Sequence, residues 1–401
     1  MSQADSGGAL AGIKVIDLTR VLGGPLCTQM LGDHGAEVVK IEPPQGDETR
    51  GWGPPFRGET ASYFIGVNRN KRAAAVDLSR PEGREILLRL LKTADVLVEN
   101  FKTGTLERWG IGYDQFLKDR FPRLIHCRVS GFGADGPLGG YPGYDAVVQA
   151  MAGLMSINGE PEGVPLRVGT PVVDLTSGLN ATIAILLALQ ERQRSGRGQF
   201  VEATLYDSAI TLLYPYSANW LLSHQPPKRT GNAHPNVSPY DQFHTKTRRI
   251  FLAVGNDRQF AKLCDQLARP DLPQNPLFRR NSDRVTNRAA LRRELEAVLA
   301  EIDGEALALR LLDKGVPCGP VLEVPDVINH PHTRHRGMVT ELGEYSGIGN
   351  PVKLTRTPAS VRRPPPEFGS ANREILAEAG YSQSEIDALI ASGVVSEERR
   401  S

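Results

Sequence analysis

Asp174 lies in the stretch GTPVVDLTSGLNATIAILLALQ (residues 169–190) and is the single carboxylate at the mouth of a long apolar segment. A carboxylate in that place has two uses. Asp is a preferred helix N-cap residue, and Asp207 in LYDSAITLLYPY stands in the same position before another apolar segment. Against this, Leu179, Ile183, Ile185, Leu186 and Leu189 spread around the helical wheel, so the spacing predicts a buried helix over roughly 174–194 whose start opens into a crevice. There the helix dipole keeps the carboxylate ionised, neighbouring free N–H groups receive a developing oxyanion, and the carboxylate can serve as a nucleophile. These residues alone leave both uses open.

Other chemistry-bearing patterns are weaker. GFGADG (131–136) has the spacing of a dinucleotide fingerprint, but Pro137, Gly139, Gly140, Pro142 and Gly143 follow it, so no helix opens there to meet a pyrophosphate. The segment reads as a flexible wall over a site. His330, His332 and His335 have Arg334 and Arg336 among them and no carboxylate or Cys nearby, which suits a surface turn better than a metal centre. GxSxG, HExxH and GxxxxGK[ST] do not occur. No metal is expected.

Composition narrows the class. The 401 residues carry 47 Lys plus Arg against 46 Asp plus Glu, so no global field gathers nucleic acid and any polyanion must be met locally. Cys27, Cys127, Cys264 and Cys318 lie far apart without CxxC pairs, which fits a reducing compartment. Near Asp174 the longest unbroken apolar run, 183–189, falls far short of the roughly 20 residues of a membrane span. MSQADSGGALAG lacks the basic and apolar regions of a secretory leader. The expectation is a soluble, cytoplasmic protein with neither nucleic-acid nor membrane partners.

The elements that must position Asp174 alternate. Strands are expected at 12–18, 36–42, 73–78, 94–100, 124–130 and 199–205, with helices between them, one opened by the Gly23-Gly24-Pro25 turn and one by Pro81. Apolar strands alternating with helices imply an α/β, Rossmann-like, doubly wound parallel sheet. Helices at 144–155 and 174–194 follow. The large domain is expected over 1–221 and a Pro-rich linker over 222–238. A smaller α+β domain with a hairpin and charged helices then covers 239–324, and 325–401 returns to the large domain.

Six blocks, GIKVIDLTRVLGGPLCTQMLGDHGAEVVKIEPPQGDETRGWGPP, NRNKRAAAVDL, DVLVENFKTGTLERWGIGY, GYDAVVQAMAGLM, VVDLTSG and RSGRGQFVEATLYDS, occur in an order and spacing that resembles the family III (CaiB/BaiF-like) CoA-transferases. DETRGWGPP, NRNKR and AHPNVSPY most resemble the branch that moves CoA between succinyl-CoA and glutarate or similar dicarboxylic acids. The resemblance implies that Asp174 is the nucleophile and passes through mixed anhydrides and an aspartyl-CoA thioester. It implies small-molecule acyl-CoA and carboxylic acid substrates, no tightly bound cofactor, and a homodimer of two interlocked rings. Family CoA contacts fall on Leu22 and Gly23, on Val76, Asp77 and Leu78, on Asn100, Phe101 and Lys102, and on Arg108, Tyr144 and Asp145. Lys71, Arg72, Lys102 and Arg108 supply positive charge for the phosphates of CoA. Charge matching suggests Arg50 and Arg69 for the distal carboxylate of a diacid, and His234 in the 231–240 loop joins them as a substrate-side candidate.

Two departures bear on the chemistry. The family's racemase branch carries His where Tyr144 stands, and a tyrosine with an unperturbed pKa of about 10 is a poor proton acceptor, so racemisation is the disfavoured alternative. Leu22 replaces the polar Gln of formyl-CoA enzymes, against oxalate-type chemistry. A CoA-binding protein without catalysis is the third reading.

Overall fold

The computed structural model describes residues 7–400; residues 1–6, part of the start read as lacking a secretory leader, lie outside them. The chain divides into two units. The first takes the chain up to Ala152, Gly169–Leu212 and everything from His332 onward. The second takes Gly153–Val168 and Leu213–Pro331.

The first unit is built on six strands: β1 (Lys14–Asp17), β2 (Glu37–Glu42), β3 (Lys71–Ala75), β4 (Val96–Glu99), β5 (Ile125–Ser130) and β6 (Phe200–Thr204). They run parallel in the order β3-β2-β1-β4-β5-β6. Parallel strands are covered on both faces, which is why Val15 and Ile16, Val38 and Val39, and Val96 to Val98 form unbroken buried apolar runs. This is the strand order of doubly wound α/β sheets, and in such sheets ligands bind beyond the carboxyl ends of the strands where the order reverses. Here that place lies between β1 and β4.

Helices α1 (Gly23–Asp33), α2 (Pro81–Leu91), α3 (Asp145–Met151), α4 (Val172–Ser195) and α5 (Leu205–Thr211) complete the frame. On one side Ile86, Leu87 and Leu90 of α2 share a core with Ile375, Leu376 and Ile386 of the two C-terminal helices. α4 packs along α1, β5, β6 and α5, and it stops at Gly196, whose φ of +74° lets its N–H reach back to the Arg192 carbonyl at 2.8 Å.

The expectation of an all-round buried α4 is corrected. Val173, Ser177, Ala181, Ile185 and Ala188 are buried, but Leu179, Ile183 and Leu187 are 41%, 54% and 65% exposed. Their spacing of four puts them on one stripe. α4 is also the one helix among the described residues long and apolar enough to cross a membrane, by length and composition alone; 44% of that window is buried inside the protein.

The second unit carries a three-stranded antiparallel sheet of β7 (Tyr240–Phe243), β8 (Ile250–Ala253) and β9 (Cys318–Pro320) in the order β9-β8-β7. Helices Asp257–Gln266, Arg288–Leu299 and Gly304–Asp313 pack on it through Phe260, Leu263, Leu295 and Leu311. The hairpin read from the sequence forms, but the boundaries differ from 222 and 324. Gly153, at φ +88°, breaks the expected 144–155 helix into Asp145–Met151 and Leu154–Ile157. The segment that follows bonds to the supposed linker, with Arg229 Nη2 donating to the Gly163 carbonyl at 2.6 Å and Gly231 N–H to the Gly159 carbonyl at 3.1 Å. All four cysteines are free and buried, and burial pushes the Cys27, Cys264 and Cys318 thiols up to about 12.

Candidate active site

At the switch point lies a cavity of about 240 Å³. The turn after β1 (Arg20–Gly24), the turn after β4 (Asn100–Thr103), Ser130 and Gly131 after β5, Tyr141–Tyr144, Leu205 and Asp174 line it. Each strand therefore delivers its contribution at its carboxyl end.

The turn after β1 is held in a costly shape. Val21 has φ +73°, a region that a β-branched residue rarely occupies and that is tolerated where the surroundings enforce it. Asn100 does the enforcing: its Oδ1 accepts the Arg20 N–H at 2.9 Å and its Nδ2 donates to the Arg20 carbonyl at 2.7 Å. The chain then enters α1 with no side-chain cap. Pro25 has no N–H and the first helical bond runs from Leu26 N–H to the Leu22 carbonyl at 2.8 Å, so Gly23 and Gly24, which line the cavity, carry uncapped helix-start N–H donors.

Glycines bring Asp174 to that helix start. A Cβ on Gly23 would lie 3.0 Å from the Asp174 carbonyl oxygen, and one on Gly178 would lie 2.5 Å from the Gly23 carbonyl oxygen. Only hydrogen at both positions lets α1 and α4 approach so closely.

Asp174 is not the cap of its helix. α4 starts at Val172, after Pro171, and Asp174 is the third residue of the first turn. The cap comes from another helix: Asp145 Oδ2 accepts the N–H groups of Val173 at 2.8 Å and Asp174 at 3.1 Å. Asp207 is likewise no cap, since Thr204 Oγ1 accepts the Asp207 N–H at 3.0 Å. The Asp174 carboxyl is therefore not committed to capping. Burial, and after it the Asp145 carboxylate, push its pKa up to about 7. The Tyr63 phenol is also raised, by burial first and then by the Asp174 and Asp145 charges, so it belongs to the same neighbourhood. It stacks edge-on to Trp52 with ring centroids 5.2 Å apart.

The residues named from sequence fall into two groups. Leu22, Gly23, Asn100, Phe101, Lys102, Tyr144 and Asp174 meet at the cavity, and Asp145 stands directly behind Asp174. The others do not line it. Arg50 and Arg69, assigned to a substrate carboxylate by charge, are corrected: both are buried and already paired. Arg50 binds Glu42 in two-pronged fashion at 2.6 and 2.8 Å, and Arg69 binds Asp33 at 2.6 and 2.8 Å. Lys71 is corrected as well, because its ammonium donates to Asp17 Oδ2, the Pro25 carbonyl and Asn68 Oδ1 at 3.0, 3.0 and 2.8 Å, which uses all three protons. Arg72 lies at the amino end of β3, opposite to the cavity, and pairs with Glu37, Glu374 and Glu378. Val76 and Asp77 bond to the backbone of Glu42 and Val394, Leu78 is buried, and Arg108 is exposed with its Nη2 on Thr105 Oγ1 at 2.8 Å. His234 belongs to the second unit, where its Nδ1 accepts the Asn236 N–H at 3.1 Å.

Sequence reasoning gave no role to Arg20, Val21, Trp52 or Tyr63. Trp52 was visible in DETRGWGPP, but Tyr63 carried no signal of its own. Residues 131–143 do form part of the cavity wall, through Gly131 and Tyr141–Gly143, and no helix opens within them. Among the described residues no group of three or more His, Cys, Asp or Glu is placed to hold a metal.

Residues 10–372 match the profile of CoA-transferase family III. The chain is 40% identical to the succinyl-CoA:glutarate CoA-transferase of Mus musculus over 402 residues, covering 98% of this chain and 92% of that protein. It is 39% identical to the succinate–glutarate CoA-transferase of Agrobacterium fabrum, covering 92% and 95%. Among solved structures, a CAIB/BAIF family protein from Brucella suis superimposes with a TM-score of 0.84 at 39% identity, covering 93% of this chain and all of that one. A profile match over most of the chain, joined to two relatives near 40% identity, shows that this chain is a CoA-transferase of family III.

Proposed function

We propose that the enzyme carries CoA from a dicarboxylyl-CoA such as succinyl-CoA to a second carboxylic acid such as glutarate, with Asp174 as the covalent carrier. The observation that carries this is the Asp174 carboxyl, uncommitted to capping and next to the uncapped start of α1 in the switch-point cavity. The related transferases of known name pair succinyl with glutarate, which supports the substrate class.

In this mechanism an Asp174 oxygen attacks the thioester carbonyl. The oxyanion that forms meets the N–H groups of Gly23 and Gly24, donors fixed before the reaction starts. CoA leaves as thiolate and a mixed anhydride remains. The thiolate then attacks the aspartyl carbonyl, releases the donor acid and leaves an aspartyl-CoA thioester. The acceptor carboxylate attacks that thioester, expels the thiolate and forms the second anhydride. Thiolate attack on the acceptor's acyl carbonyl gives the new acyl-CoA and returns the Asp174 carboxylate. No step transfers a proton, so the cycle needs an ionised Asp174 and a dry site rather than a general base. The 131–143 loop serves as the wall that excludes water. Lys102, exposed at the cavity, and Arg20 beside it supply positive charge for CoA phosphate or substrate carboxylate.

The working assembly is a homodimer, in which the exposed stripe of Leu179, Ile183 and Leu187 is covered by a second copy. The interlocked form implied by the family resemblance is part of this proposal.

The test incubates the enzyme with succinyl-CoA and a panel of mono- and dicarboxylic acids, with products read by mass spectrometry. New acyl-CoA from a C5 diacid is expected. Solvent deuterium entering the α-carbon of an acyl-CoA without any acceptor acid would instead assign a racemase. Protonation of Asp174 predicts the pH dependence. With its pKa near 7, kcat/KM should rise about tenfold per pH unit on the acid side and level off above about 7. A profile flat from pH 5 to 8 would contradict it.

A further inference from the structure

The Asp145 carboxylate does something no ligand contact explains. Asp145 is 8% exposed, and its neighbour Gln149, one helical turn later, is fully buried. Gln149 Nε2 donates to Asp145 Oδ1 at 2.6 Å, while Asp145 Oδ2 takes the two N–H groups at the start of α4. α4 has no cap of its own, since Pro171 occupies the N-cap position and offers no side-chain acceptor. The first turn of the nucleophile's helix is therefore anchored by a carboxylate 29 residues earlier in the chain, set in place by a buried amide.

Resting on the assignment of Asp174 as nucleophile, we infer that Asp145 is a positioning residue of the transfer reaction: it fixes the first turn of α4, and so the Asp174 carboxyl, and sets a second carboxylate beside it. Among the described residues its hydrogen-bond partners, the Gln149 amide and the Val173 and Asp174 N–H groups, are all neutral. The titratable groups that bear on this pair are few. Asp174 faces Asp145, and the Tyr63 phenol feels both carboxylates. The first turn of α1 is free of acidic residues, and the first turn of α5 carries Asp207.

The charge has a chemical consequence. Ionised Asp174 is repelled by Asp145, whereas acylated Asp174, as anhydride or thioester, is neutral and is not. Attack on the thioester relieves the repulsion, which makes the carboxylate a better nucleophile without changing what the cavity contacts in the substrate. The burial that raises the Asp174 pKa acts in the same direction.

Asp145→Asn separates charge from anchoring, because the asparagine oxygen still accepts the two N–H groups and the Gln149 amide can turn over so that its oxygen accepts from the new Nδ2. The expected result is a downward shift of ~1 unit in the acid-side midpoint of the kcat/KM profile, as loss of a neighbouring like charge implies. Asp145→Glu, which retains the charge, should keep the midpoint near that of the unaltered enzyme while lowering kcat. An Asp145→Asn midpoint that does not move, with Asp174→Asn inactive, would overturn this inference and leave the role of Asp174 standing. Activity in Asp174→Asn would instead remove the assignment on which the inference rests. Should Asp145→Asn not fold, Asp145→Thr, a neutral side chain that still accepts from helix-start N–H groups, takes its place: a midpoint lowered by ~1 unit is expected, and one that does not move would overturn the inference.

Discussion

Asp174→Asn is expected to lower CoA exchange by ~10³-fold or more, as loss of a covalent nucleophile does, while leaving the protein at least as stable at pH 8. The two outcomes share one cause. Burial and the Asp145 charge raise the Asp174 pKa from 3.8 to about 7, so the folded state disfavours the ionised form. The sign follows: the penalty is absent below about pH 4, grows as pH rises towards 7, and stays constant above it. An amide at 174 removes the penalty, so the variant should gain relative to the unaltered protein as pH rises through that window. Thermal unfolding at pH 5 and pH 8, run beside an exchange assay, checks both halves. Retained exchange would remove Asp174 from the chemistry. Lost exchange together with lost stability would reduce Asp174 to a structural role.

The second large effect lies behind α1. Asp17, at the end of β1, accepts from Thr19 and Thr28 hydroxyls at 2.6 and 2.7 Å and pairs with Lys71, both side chains being fully buried. Burial opposes charge on Asp17, but Lys71, Lys40 and the hydroxyls together hold its carboxyl below the usual range. Burial lowers Lys71 to about 8, with Asp17 pulling it upward. Lys71→Met keeps the volume but strands the Asp17 charge. A loss of about 3–5 kcal/mol is expected, because removing one partner of a buried pair leaves the other uncompensated. Chemical denaturation measures it. A loss below about 1 kcal/mol would show that Lys40 and the hydroxyls suffice. Activity should fall as well, since Lys71 also holds the Pro25 carbonyl in the first turn of α1.

The sheet was legible because its strands are apolar on both faces and separated by helices, a pattern that leaves few alternatives. Asp174 was legible as a carboxylate at the start of a long apolar helix, though not as distinct from a cap. That distinction depends on Asp145, whose partners lie on another helix and are chosen by tertiary packing. Arg50 and Arg69 show the limit of charge matching. A guanidinium that will fork onto a substrate carboxylate and one that will fork onto Glu42 or Asp33 look alike until burial is known. The apolar circumference of α4 misled in a similar way, since composition does not say which stripe the chain itself covers and which it leaves exposed. The unit boundary at Gly153 was hidden inside what reads as one helix, because a glycine is compatible with both continuation and a left-handed break.

The most direct measurement is a trapping experiment. The enzyme is incubated with succinyl-CoA in the absence of acceptor acid, treated with hydroxylamine, digested and analysed by peptide mass spectrometry. The hydroxamate is expected on Asp174 and on no other carboxylate, dependent on acyl-CoA. An unmodified Asp174 in enzyme that still exchanges CoA, or a hydroxamate on Asp145 instead, would contradict the covalent role.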